Sequence, residues 1–81
     1  MNVRSLFFAQ YRDFASADEI DVELPDGASV ADLVVRLRRG EGGLSRLPAS
    51  PVVAVNMDYA PHSTALREGD EVAFIPPVAG G

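Results

Sequence analysis

Between Val3 and Ala9 the chain is apolar and aromatic, which predicts a strand. Val3, Ser5 and Phe7 fall on one face of it, and Arg4, Leu6 and Phe8 on the other. Ile20-Asp21-Val22-Glu23-Leu24 alternates cleanly and predicts a half-buried second strand. Pro25-Asp26-Gly27 then turns the chain. After it the spacing changes: Val30, Leu33, Val34 and Leu37 make one apolar stripe at helical period. Ser29 can cap this helix, with Asp32 at the reciprocal position where Glu or Gln is more usual. Arg36, Arg38 and Arg39 load its last turn, as a helix C-terminus prefers. This cluster is either a docking patch or dipole compensation on a solvated face, and the second is the simpler reading. Gly40 is expected to end the helix.

Glu41-Gly42-Gly43 and the segment from Pro48 to Pro51 read as loop. Val52 to Val55 is a short continuous apolar strand, and a turn near Asn56-Met57-Asp58 leads to a weak strand or loop containing Tyr59. Arg67-Glu68-Gly69-Asp70 is another turn. Glu71 to Ile75 is the final strand, stopped by Pro76-Pro77 because proline cannot donate to a ladder. The expected order is strand, strand, helix, strand, short strand, strand. It predicts an α+β fold, with one mixed sheet and one main helix across one face. A hairpin, a crossover helix and returning strands suit a β-grasp. There the first and last strands lie parallel and adjacent, and residues 76–81 leave as a free, flexible tail. Residues 1–81 are expected to form a single domain.

Composition narrows the chemistry. Hydrophobic residues make up 47% of the chain, enough for a compact core. There is no cysteine, which excludes disulfides and thiolate chemistry, and one histidine cannot build a zinc site of such ligands. No metal or cofactor site is expected. A net charge of -5 argues against nucleic acid and fits docking to a basic partner surface. All seven basic residues are arginine, so no lysine is present to form a Schiff base or accept an isopeptide bond. No apolar run is long enough to span a membrane, and the start lacks a secretory pattern, so a cytoplasmic location is expected. His62, beside Pro61, reads as an exposed polar loop residue.

The segment that carries chemistry is Pro76-Pro77-Val78-Ala79-Gly80-Gly81. Glycine fills roughly 7% of positions, so a chance terminal pair has a probability of about 0.5%. Without Cβ atoms, Gly80 and Gly81 can enter a narrow channel in any backbone conformation. Pro76 and Pro77 stiffen the base of the arm, which reaches at most about 20 Å when extended. A bare carboxylate is inert. Converted by ATP to an acyl adenylate, its carbonyl can accept sulfur and become a thiocarboxylate.

Three segments carry a family resemblance. Leu6-Phe7-Phe8-Ala9-Gln10-Tyr11-Arg12-Asp13 resembles the opening signature of the small subunits of molybdopterin synthase, the MoaD family of ubiquitin-like sulfur carriers. The closing signature is matched by Gly69-Asp70-Glu71-Val72-Ala73-Phe74-Ile75-Pro76-Pro77-Val78-Ala79-Gly80-Gly81. Ala54-Val55-Asn56 resembles the middle strand; the resemblance spans nearly the whole chain, and the stretch from Glu41 to Pro51 is not diagnostic.

The resemblance implies a non-catalytic subunit of a sulfurtransferase. Its terminal Gly81 would be adenylated by an E1-like enzyme, MoeB, which consumes the ATP, and then sulfurated by a donor that the resemblance does not identify. The tail would enter the large subunit, MoaE, in a heterotetramer. There the thiocarboxylate would give sulfur to cyclic pyranopterin monophosphate to form the dithiolene of molybdopterin, with the catalytic side chains on the large subunit. Strand parity places Phe8 and Ile75 away from the helix if Phe7 and Phe74 pack beneath it, and the resemblance adds Tyr59. These three are the expected partner-binding residues; the alternative is that a loop buries Phe8 and Ile75. Rival readings are the thiamine-type sulfur carrier, a ubiquitin-like protein modifier, and an interaction module with incidental glycines.

Overall fold

The computed structural model describes residues 1–40 and 42–77. Five strands form one sheet: β1 (Asn2–Phe7), β2 (Glu19–Glu23), β3 (Val52–Val55), β4 (Asp58–Tyr59) and β5 (Glu71–Ile75). Their order is β2-β1-β5-β3-β4, with β1 and β5 parallel and every other pair antiparallel. Helix α2 (Val30–Arg38) supplies the main cover of one face, so the expected β-grasp is the fold observed. Val3 and Phe7 of β1, Val22 of β2, Val53 of β3, and Val72 and Phe74 of β5 are buried with Val30, Leu33, Val34 and Leu37 of the helix.

Local chemistry sets the helix start. The Asp32 N–H donates to the Ser29 hydroxyl (3.3 Å), and the Ser29 N–H donates to the Asp32 carboxylate (2.9 Å). Asp32 thus completes the capping box despite being one methylene shorter than glutamate. Two further N–H groups at this end, which no helical carbonyl can reach, donate to the loop before β5: Val30 to Thr64 and Ala31 to His62. The His62 ring is half-buried, and its Nε2 donates to the Pro51 carbonyl at 2.6 Å. His62 is therefore a tie between loops rather than the exposed residue expected from its neighbours.

Three other expectations change. The first strand stops at Phe7, because Phe8 caps a helix, α1 (Ala9–Ala15), that the sequence pattern does not announce. Consequently β1 and β2 are joined through this helix and not by a tight hairpin. Seven residues show too little periodicity to read; two side chains, buried Tyr11 and half-buried Phe14, hold α1 down with rings 5.9 Å apart. Secondly, Gly42–Arg46 forms one 3₁₀ turn, which buries Leu44. Thirdly, α2 ends just before Gly40 as expected, but Arg39 caps it in a right-handed conformation and the left-handed glycine comes later, at Gly42 (φ 82°).

Candidate docking face and tail root

Phe7 and Phe74 are register partners on β1 and β5, and both side chains are buried. Since side chains alternate along a strand, the next residues, Phe8 and Ile75, turn to the opposite face. Phe8 is 48% exposed and Ile75 half-buried, so neither is sealed under a loop. Val52 of β3 pairs with Ile75 and is 56% exposed. These residues form the apolar end of the uncovered face, beside half-buried Pro76 and exposed Pro77, where the tail departs.

The row beneath crosses all five strands: Glu19, Leu6, Ala73, Ala54 and Tyr59 lie in mutual register. Leu6 is half-buried and Tyr59 is 76% exposed. A third row is charged. Arg4 lies between Asp21 and Glu71; its Nη2 donates to Glu71 Oε2 at 2.9 Å, and its Nε stands 3.5 Å from Glu19 Oε2. Exposed ion pairs of this kind add little stability. Their effect here is electrostatic: Arg4 is neutralised by Glu19 and Glu71, and Asp21 and Glu23 leave the β2 edge acidic. The face thus grades from acidic to apolar in the direction of the tail.

The exposed position of Phe8 depends on a backbone feature. Ala9 takes a left-handed φ of 49°, which lifts the chain out of the sheet immediately after Phe8. The Phe8 carbonyl accepts the N–H groups of Tyr11 and Arg12 (3.0 and 3.4 Å), so the turn also starts α1. A pocket of about 360 Å³ lies beside it, lined by residues including Leu6, Phe8 and Arg12.

Of the expected site residues, the fold brings together Phe8, Ile75, Tyr59, Pro76 and Pro77 on or beside one face. Val78, Ala79, Gly80 and Gly81 lie outside the described residues. Leu6 and Val52 belong to the same surface. Leu6 was accessible from parity with Phe8. Val52 was hidden because Val52 to Val55 is apolar on both faces, so its pattern names no solvent side. Arg36, Arg38 and Arg39 are exposed and form no ion pair among the described residues. No helix of the described residues is long and apolar enough to cross a membrane.

Comparison with known proteins adds the following. A model of the ThiS family matches residues 5–81. The chain is 40% identical over 84 residues to a molybdopterin synthase sulfur carrier subunit of Mycobacterium tuberculosis, covering 100% of this chain and 99% of the relative. It is 37% identical over 83 residues to one of Chlamydomonas reinhardtii, with both covered completely. Among solved structures it resembles small archaeal modifier protein 1 of Haloferax volcanii, with a TM-score of 0.86, 28% identity and complete coverage of both chains.

Proposed function

Because this chain belongs to the ThiS family of ubiquitin-like sulfur carriers, we propose that it is the sulfur-carrying small subunit of a molybdopterin synthase. The observation that carries this reading is the apolar end of the uncovered sheet face, formed by Phe8, Ile75 and Val52, at the root of a segment ending in Gly80-Gly81. A carrier must hold its reactive end away from its own side chains and inside its partner. The face supplies the grip and the tail supplies the reach.

In this mechanism the Gly81 carboxylate attacks the α-phosphate of ATP in an E1-like enzyme, and pyrophosphate leaves. Sulfur delivered at the oxidation level of hydrosulfide then attacks the acyl adenylate carbonyl, AMP leaves, and a thiocarboxylate remains. The same face next docks on the large subunit. There the thiocarboxylate sulfur bonds to a carbon of the pterin precursor, water cleaves the acyl–sulfur bond and restores the Gly81 carboxylate, and two such transfers supply the two sulfurs of the dithiolene, with side chains of that subunit. The chain contributes position, reach and a leaving carboxylate. The smallness of Gly80 and Gly81 allows the end to enter a closed channel.

The test is intact mass after incubation with ATP, the activating enzyme and a sulfur donor. The protein should gain the difference between one sulfur and one oxygen, and deletion of Gly81 should abolish both this gain and pterin conversion. Normal conversion by the deletion variant overturns the reading. The likeness to the archaeal modifier protein favours a second reading, attachment of Gly81 to lysines of other proteins. Isopeptide-linked conjugates recovered from the host would distinguish it.

A further inference from the structure

Between β3 and β4 the chain reverses over Asn56 and Met57, both left-handed, with φ of 49° and 74°. Two-residue reversals of this hand favour Asn followed by Gly, because the second position is least strained without a Cβ. Asn56 suits its place. Its Oδ1 accepts the Glu71 N–H and its Nδ2 donates to Asp70 Oδ1, both at 3.0 Å, while its own N–H donates to the Glu71 carbonyl at 2.8 Å. The turn is therefore fastened to the start of β5.

Met57 does not suit its place in the same way. It holds a left-handed backbone that a side chain strains, and that side chain is 89% exposed. Neither burial nor turn geometry explains a long apolar group here. Tyr59, two residues on, ends the Leu6–Ala73–Ala54–Tyr59 row, so the turn that presents Met57 lies at the β4 margin of the sheet, one pair beyond that row and beside the start of β5.

We propose that Met57 is a contact residue of the docking face, inserting into an apolar hollow of the large subunit at the sheet margin farthest from β2. The proposal rests on the function proposed above. Methionine fits such a role because an unbranched thioether adapts to irregular apolar surfaces. It also makes the contact sensitive to oxidation. A peroxide transfers one oxygen to the thioether, its O–O bond breaks, water leaves, and the resulting sulfoxide is polar.

The experiment titrates the large subunit with wild-type protein, Met57→Gly, Met57→Leu and Tyr59→Ala. Met57→Gly should bind about tenfold more weakly or worse while its Tm is unchanged or higher, since glycine relieves the turn. Hydrogen peroxide should weaken binding of the wild type and leave Met57→Leu unaffected. Wild-type affinity in Met57→Gly, alongside weakened Tyr59→Ala, overturns the proposal and leaves the carrier function standing. Failure of the wild type to bind the large subunit at all overturns the function on which it rests.

Discussion

Phe7 and Phe74 stack in the core with ring centroids 5.3 Å apart and planes 17° from parallel. They are also the last register partners of the parallel β1–β5 pairing, so the stack pins β5 to β1 where that pairing ends. Through strand alternation it fixes the orientation of Phe8 and Ile75, one position further on. The core contact and the docking surface are therefore two sides of one pairing. Phe74→Ala would remove both the ring and the lever that aims Ile75.

Charge placed on the uncovered face should separate docking from folding. Ile75→Asp and Phe8→Asp are expected to lose about 2 kcal/mol or more of binding to the large subunit, as apolar anchors do on truncation. Calorimetric titration measures this, with circular dichroism as the folding control. Added salt should weaken the wild-type complex, given the acidic β2 edge. Unchanged affinity in both variants would remove this face from the interface, and an unfolded Phe8→Asp would place Phe8 in the core.

Gly43→Ala should destabilise the protein. A Cβ there would overlap the Phe14 carbonyl oxygen and lie 2.8 Å from its Cα, both backbone atoms that cannot swing aside. Forced shifts of this kind cost about 1–3 kcal/mol, which lowers Tm by about 4–8 °C per kcal/mol in a domain of this size. Thermal unfolding reads it directly. A Tm equal to wild type would mean that α1 and the 3₁₀ turn are not packed in this way.

Ser5→Ala should be neutral or stabilising. Ser5 sits in β1 between Val3 and Phe7, fully buried, and its hydroxyl has no hydrogen-bond partner among the described residues. An unsatisfied buried hydroxyl costs roughly 1–3 kcal/mol, so deleting it offsets the small loss of packing. Urea midpoints of the two proteins decide the sign. Marked destabilisation would reveal a partner for the hydroxyl.

Tyr11 should make the protein sensitive to alkali. Burial pushes its phenol above the ordinary value, because a buried phenolate is poorly solvated. At lower pH the phenol is neutral in both states and adds no slope. Above about pH 10 the unfolded chain ionises first, so stability falls as pH rises through the folded-state value. Unfolding free energy measured across this range should decline less steeply in Tyr11→Phe. Equal slopes would locate the alkaline loss elsewhere.

What the sequence determined by itself was local and periodic. Alternation over Val3–Phe8 and Glu71–Ile75 assigned the two sheet faces, the Ser29–Asp32 pair marked the helix start, and Pro76 marked where the ladder must stop. Each signal lies within a few neighbouring residues, and its physical cause acts over the same span. Tertiary structure alone decided the rest. The fit of Gly43 against Phe14 joins residues far apart in sequence, with no periodic trace of either. The row from Leu6 to Tyr59 depends on the register of strands separated by a helix and several loops. Val52 acquires a solvent side only when β5 pairs beside it. Those features arise from packing between distant segments, and a pattern read along the chain carries no information about which segments meet.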